Sequence, residues 1–340
     1  MTPQRIGRRG FIRLGLLGAV GASLGLLRWR AAPHDVLPFA RWTLRRSWRQ
    51  LAAPPSAVAL VPCPSYAGDV LAGVRELWQL MGNPSLRGKR VVLKPNLVGY
   101  VPGPPANTHS RVVEAVIALC REQGAREVMV AEGVAFARDS LPVLQQTGLA
   151  AAMAAANAPF VDLNYDDLRE VRLSGGYSSL QSLSLPVTVL DADCVISLPK
   201  MKTHHWAGLT LSMKNMFGVV PGIRYGWPKN ALHQAGIAPM ILDLYDSIRP
   251  QYAIVDGIVG MEGDGPLLGT EVLSGLLVGG QDLVAVDATC ARLMGFDPAG
   301  VDYLMAAQTV GLGWFDAGRI EVRGGRLSDL ARPYVHAPGF

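Results

Sequence analysis

Residues 90–96 read Arg-Val-Val-Leu-Lys-Pro-Asn, and residues 127–133 read Glu-Val-Met-Val-Ala-Glu-Gly. Arg90–Leu93 and Glu127–Ala131 are short apolar runs, the pattern of buried strands. Between them, Ser110 caps a stretch with helical spacing that runs to about Gln123, with Glu114 later in its first turn. The unit reads strand, helix, strand. Working outward, Ala57–Cys63 is a strand and Asp69–Met81 a helix, with Val70, Leu71, Val74, Leu77 and Leu80 on its apolar face. Asp139–Gly148 is a helix closed by glycine. Such alternation predicts an α/β fold: a mostly parallel sheet with helices on both faces. Sheets of this kind bind ligands at the carboxyl ends of their strands, which is where Lys94, Asn96, Glu132 and Gly133 fall.

The middle of the chain is less regular. Val171–Leu173 and Leu185–Leu190 read as strands, a β-rich insertion in the middle of the domain. Cys194–Leu198 is again a buried strand and runs into Pro199-Lys200. Ala231–Ile248 is helical apart from Pro239, Ala253–Val255 and Leu273–Val278 are strands, and Ala285–Met294 and Ala299–Val310 are helices. A single domain over residues 57–340 accounts for these elements.

Charge divides the chain. Residues 1–56 hold ten of the 32 basic residues and one of the 27 acids, leaving 22 and 26, a net of −4, for residues 57–340. A mildly acidic body argues against nucleic acid as a partner. In the basic segment, Gly7-Arg-Arg-Gly-Phe-Ile-Arg13 precedes the uncharged run Leu14–Leu27. A basic start followed by a run too short for a membrane span is a signal, and the Arg8-Arg9 pair is similar to the twin-arginine export signal. Residues 1–32 are therefore expected to engage the export machinery, as a removed signal or as a retained anchor. Residues 33–56 read as a basic linker or amphipathic helix, in which Leu37, Leu44, Trp48 and Leu51 share a face beside Arg41, Arg45, Arg46 and Arg49. Through residues 1–51 the chain is expected either to contact a membrane surface or to pack its amphipathic helix on the main domain. The predicted location is periplasmic or otherwise extracytoplasmic.

Three clusters carry chemistry. Residues 200–215 hold Lys200, Lys202, His204, His205, Lys214 and Asn215 directly after a buried strand. Lysines supply point charges for an anion, threonine or asparagine supplies directed hydrogen bonds, and imidazole titrates near neutrality. Neighbouring side chains diverge on an extended backbone, so His204 is expected to point inward and His205 is the second choice. Residues 255–266 place four glycines, Gly257 and Gly263 among them, beside Asp256, Glu262 and Asp264. Backbone amides there could grip a phosphate, and the carboxylates suit a divalent metal. The third cluster is Lys94-Pro-Asn96 with Thr108-His109-Ser110 at a helix start. Arg224–Lys229 with His233 reads as a lid or a substrate-contacting loop, and Asp287 either joins the site or pairs with a buried base. Cys63, Cys120, Cys194 and Cys290 are far apart, with no C-x-x-C, and read as buried free thiols.

At these segments the sequence resembles the domain of unknown function 362 family. The resemblance rests on Val-Leu-Lys94-Pro-Asn96-Leu-Val, Thr108-His109, Leu-Pro-Lys200-Met-Lys202-Thr-His204, Ser-Met-Lys214-Asn215-Met-Phe-Gly, Val-Asp256-Gly-Ile-Val-Gly-Met-Glu262-Gly and Ala-Val-Asp287-Ala. It spans about residues 57–310. Many members of that family look like iron–sulfur proteins with ferredoxin-type cysteines. This chain lacks those cysteines, so no iron–sulfur cluster is expected.

The reading that follows is an exported enzyme acting on a small anionic molecule, phosphorylated or carboxylated. His204, Lys202, Lys214 and Glu132 would be catalytic. Lys94, Asn96, His109, Lys200, Asn215, Gly257 and Gly263 would hold the substrate, and His205, Asp256 and Glu262 a divalent metal. Metal-assisted hydrolysis and proton abstraction both fit. The competing reading is a non-catalytic carrier or redox accessory that holds a metal or cofactor.

Overall fold

A computed structural model describes residues 54–338. The expected signal over residues 1–32, and the basic segment up to residue 53, lie outside the described residues. The strands are β1 (Ser56–Pro62), β2 (Arg90–Pro95), β3 (Glu127–Glu132), β4 (Phe160–Asp162), β5 (Leu168–Arg172), β6 (Ser182–Pro186), β7 (Cys194–Leu198), β8 (Lys200–His204), β9 (Gly208–Thr210), β10 (Tyr252–Glu262), β11 (Thr270–Gly280) and β12 (Ile320–Gly324). The helices that matter below are α1 (Val70–Leu80), α2 (Ser110–Glu122), α3 (Leu141–Gln146), α4 (Leu149–Ala155), α5 (Ile237–Ile248) and α6 (Leu283–Leu293).

The main sheet runs β12-β1-β11-β10-β7-β2-β3-β4, and along that path only β11 is reversed. The expected α/β class with a mostly parallel sheet holds. Helices cover both faces, and two adjacent glycines of β11 show why they pack so closely. A side chain at Gly279 would strike Leu77 and Met81, in and just after α1; one at Gly280 would strike Val286 of α6. Successive residues of a strand face opposite sides, so α1 and α6 lie on opposite faces. Val91 and Leu93 of β2 pack with Val74, Leu77, Ile117, Leu144 and Met153 of α1 to α4. Val92 between them is also fully buried and faces the other side. The β-rich insertion is the separate antiparallel pair β5–β6. One compact unit takes in residues 55–308 and the described residues from 312 onward.

Several local expectations are corrected. The N-cap of α2 is His109, whose Nδ1 accepts from the Arg111 amide at 3.2 Å, not Ser110. Residues 187–190 form a helical turn, not the end of a strand. The 231–248 segment breaks before α5 at Gly236, whose φ of 97° a β-carbon would oppose.

The two polar clusters are more regular than a loop reading implies. Residues 200–204 form β8, parallel to β10, and β9 returns antiparallel to it with Lys202 opposite Thr210 and His204 opposite Gly208. Most of the glycine-rich 255–266 segment lies inside the long strand β10, not in a turn. A side chain at Gly257 would press on Met201 and the Leu276 carbonyl, and one at Gly260 on Tyr334. At Gly257 and Gly260 neighbouring protein groups fill the space a phosphate would need. Among the described residues, no helix is long and apolar enough to cross a membrane.

Candidate functional site

The chain has six lysines, and five of them, Lys94, Lys200, Lys202, Lys214 and Lys229, are buried. An ammonium removed from water is costly unless acceptors surround it. Where each one finds acceptors separates scaffold from site.

Lys94 and Glu132 stand at the ends of the neighbouring parallel strands β2 and β3, which brings Nζ to 2.6 Å from Oε2. Lys94 also donates to the Pro95 carbonyl and to Asn215 Oδ1. Glu132 Oε2 accepts the Leu97 amide at 3.0 Å and Oε1 the Gly133 amide at 2.8 Å. Both of its oxygens are engaged, so Glu132, which the sequence reading expects to be catalytic, ties the ends of β2 and β3 together. Burial lowers the Lys94 pKa, against the pull of Glu132. Asn215 is tied in the same way: its amide donates to the Lys94 carbonyl and Ser197 Oγ, and its Oδ1 accepts from Lys94 and Asn96.

Lys200 and Asp256 face each other across the β8–β10 pairing at 2.6 Å. Tyr66 Oη donates to Asp256 Oδ1 at 2.7 Å, and the His109 amide donates to Oδ2 at 2.9 Å. The Tyr66 and His109 rings stack at 3.7 Å. This network pins the start of α2 to the sheet. Lys200, Asp256 and His109 do not line the cavity described next.

That cavity, about 400 Å³, opens beside the ends of β2, β3 and β8. Its wall is partly apolar, with Leu97, Phe136, Trp206 and Phe217, and partly polar, with Asn96, His204, His205, Thr210, Lys214, Lys229 and His233. Lys214 begins a 3-10 helix, Lys214–Val219, and its Nζ lies 4.1 Å from the Phe217 ring centroid. Among the described residues it makes no hydrogen bond. Burial, and then the charge of Lys94, lower its pKa to about 7. Lys229 donates to the carbonyls of Gly133 at 2.7 Å and Gly218 at 3.1 Å, leaving one of its three N–H groups without a partner. Its pKa is also lowered to about 7, chiefly by burial. Two further polar atoms on the wall, Asn96 Oδ1 and Thr210 Oγ1, are buried without a hydrogen-bond partner.

The histidines differ in tautomer. His204 Nδ1 accepts the Trp206 and Ala207 amides at 3.1 and 3.3 Å, so neutral His204 carries its proton on Nε2. Burial, and then the charge of Lys214, hold its pKa well below the usual range. It is thus a neutral hydrogen-bond donor. His205 Nδ1 donates to the Gly265 carbonyl at 2.6 Å, and His233 Nδ1 to the Lys229 carbonyl at 3.2 Å, which leaves each Nε2 as an acceptor. Burial lowers the His233 pKa to about 4. Both His204 and His205 line the cavity, because the strand ends at His204 and the chain turns.

The expected site residues therefore divide. Asn96, Glu132, His204, His205, Lys214 and Asn215 share one cavity wall; Lys94 lies behind it, bonded to Glu132. Lys202 is held by the Ala106 and Pro266 carbonyls at 2.5 and 2.9 Å, outside the lining. Gly257, Gly263 and Glu262 are elsewhere, and Glu262 accepts the Val335 amide. His205, Asp256 and Glu262 are not assembled as a metal site, and among the described residues no group of three or more His, Cys, Asp or Glu could hold a metal ion. Sequence reading did not single out Phe217, and placed Lys229 and His233 in a lid or a substrate-contacting loop. A signal was available: the chain uses six lysines among 32 basic residues, and Lys229 is one of them. Asp287 is outside the cavity; it accepts the Ser212 and Met213 amides and so fixes the turn that presents Lys214. All four cysteines are buried and free.

The family model for a domain of unknown function, DUF362, matches residues 91–292. A thylakoid-associated protein of Synechocystis is 35% identical over 270 residues, which cover 75% of this chain and 80% of that protein. Among solved structures, the lactate racemase apoprotein of Thermoanaerobacterium thermosaccharolyticum is similar with a TM-score of 0.44 and 11% identity, over 71% of this chain and 57% of that one. A protein of Thermotoga maritima is similar with a TM-score of 0.40 and 10% identity, over 69% and 60%. This chain spans less than two thirds of the length of either structure.

Proposed function

This chain belongs to the DUF362 family, and we propose that its cavity binds a small anionic molecule with an apolar body and acts on it as an enzyme. One observation carries this reading. The Lys214 ammonium reaches the cavity wall with no hydrogen-bond partner among the described residues, while the other four buried lysines are all bonded. A carboxylate or phosphate in the cavity supplies the missing partner. The Lys229 N–H left over, the His204 Nε2–H and the orphaned Thr210 hydroxyl are further donors for it. Phe136, Trp206 and Phe217 suit the apolar part of the ligand. The chemistry that fits these groups is proton transfer or carbonyl activation at an organic acid, with His204 as a neutral electrophile.

Thermal unfolding of the full chain tests this, with phenylacetate, phenyl phosphate and neutral phenylacetamide as probes. One of the two anions should raise the midpoint and the amide should not. Equal shifts with the amide, or none with either anion, would refute the reading.

The carrier reading is favoured by one observation: Glu132, the carboxylate on the cavity wall, has both oxygens engaged and is no free base. A ligand that co-purifies and leaves chemically unchanged would support it.

For location, we propose export to the outer side of the cytoplasmic membrane, supported by Arg8-Arg9 ahead of the uncharged run Leu14–Leu27. The name of the Synechocystis relative, a thylakoid-associated protein, is in keeping with membrane association. Replacing Arg8 and Arg9 by lysine should retain the chain in the cytoplasm; unchanged export would refute this.

A further inference from the structure

We infer that Lys214 is an amine nucleophile that condenses with the carbonyl group of a small 2-oxo acid held in the cavity. This rests on the preceding reading that the cavity takes an organic anion, and adds the ligand's carbonyl group and a covalent step.

The argument begins with what the other lysines do. Lys94 and Lys200 donate to carboxylates, and Lys202 and Lys229 to backbone carbonyls. A nitrogen held that way is tied to the protein by its N–H groups and is not free to swing onto a ligand carbon. Lys214 is held by nothing of the kind, and lies beside an aromatic ring on the wall of an apolar-sided cavity. An apolar surrounding and a neighbouring cation are the two conditions that keep a lysine amine neutral near physiological pH. Here both are present, with Lys94 as the neighbouring charge, and a substantial neutral fraction exists at pH 7.

The surrounding groups divide the work of holding a 2-oxo acid. Lys229, which feels the charge of Lys214, has one N–H left for the carboxylate. His204 Nε2–H, also within the electrostatic reach of Lys214, is the donor for the carbonyl oxygen. Phe136 and Trp206 meet the rest of the molecule. In the step itself, the Nζ lone pair attacks the carbonyl carbon, a C–N bond forms, and the C=O π pair moves to oxygen. One amine proton passes to that oxygen to give a carbinolamine. The hydroxyl then leaves as water with the second amine proton, and a C=N bond remains. One water is released, and neither oxidant nor reductant is consumed.

The chain suits a direct test, because beyond the five buried lysines its primary amines are Lys89 and the α-amine. The full chain is incubated with phenylpyruvate and sodium cyanoborohydride, which reduces an imine to a stable secondary amine, and peptides are mapped by mass spectrometry. The expected result is labelling at Lys214 at least tenfold above Lys89, lost in Lys214→Arg and competed by phenylacetate. Labelling confined to Lys89 and the α-amine, or centred on Lys229, would overturn the inference. Binding of phenylacetate is measured in parallel by calorimetry. Phenylacetate binding without trapping at Lys214 sinks the nucleophile and leaves the anion site standing; absence of both sinks both. The mapping of the unaltered protein needs no variant to fold.

Discussion

Lys200 and Lys214 sit on either side of one β-hairpin, both buried, and they differ in every other respect. Lys200 has a carboxylate at 2.6 Å, a tyrosine hydroxyl and a carbonyl around it. Lys214 has an aromatic ring and a cavity. The first arrangement satisfies an ammonium inside the protein; the second leaves one waiting for something outside it. Lys94 belongs with Lys200, and the difference separates groups that hold the fold from those placed to meet a ligand.

The comparison breaks first if the paired lysines prove dispensable. Asp256→Ala and Glu132→Ala each strand a buried ammonium, which costs about 3–5 kcal/mol. Denaturant unfolding should show losses of that size; losses under about 1 kcal/mol would erase the distinction.

Removing the unpaired lysine should do the opposite. Lys214→Met deletes a poorly solvated charge and is expected to stabilise the unliganded protein by about 2 kcal/mol at pH 7 while abolishing ligand-induced stabilisation. The sign follows from linkage. The folded-state pKa, about 7, is below the ordinary lysine value of 10.5. Folding therefore favours the neutral amine, and the penalty is fully present below about pH 7 and disappears as pH rises toward about 10.5. The gap between variant and parent should narrow over that window in pH-dependent unfolding. Lys229, lowered in the same direction, remains in both proteins and largely cancels from the difference.

A smaller effect sharpens the site itself. His204→Phe removes the Nε2–H donor, and affinity for the anionic probe should fall about tenfold in calorimetry, the worth of one hydrogen bond to a charged group. The smallest concerns the scaffold: Tyr66→Phe loses one bond to Asp256 and should cost about 1 kcal/mol in unfolding with no change in ligand affinity.

The fold was largely legible because β2, α2 and β3 are each unambiguous in pattern, and β7 matches the sequence reading from Cys194 to Leu198. Legibility failed where a strand carries polar residues. β8 is Lys-Met-Lys-Thr-His, which no apolar alternation marks, and its pairing with β10 is a long-range event. The glycines of β10 looked like a phosphate loop because sequence alone does not show Tyr334 and Met201 pressing against them. At the site, residue type was visible and partnership was not. Lys94, Lys200, Lys202 and Lys214 are alike in the sequence; only the distances separate Lys214 from the rest. Lys229 reads in the sequence only as part of a lid or a substrate-contacting loop, because its bonds to Gly133 and Gly218 join segments far apart along the chain.

The central claim is that the cavity beside Lys214 is built to receive an organic anion. The most direct measurement is a crystal structure of the full chain grown with phenylacetate. The account predicts the carboxylate inside the cavity, within hydrogen-bond distance of Lys214 Nζ or Lys229 Nζ, with the phenyl ring against Phe136, Trp206 or Phe217. A cavity without the acid at saturating concentration, or the acid bound only elsewhere, would contradict it.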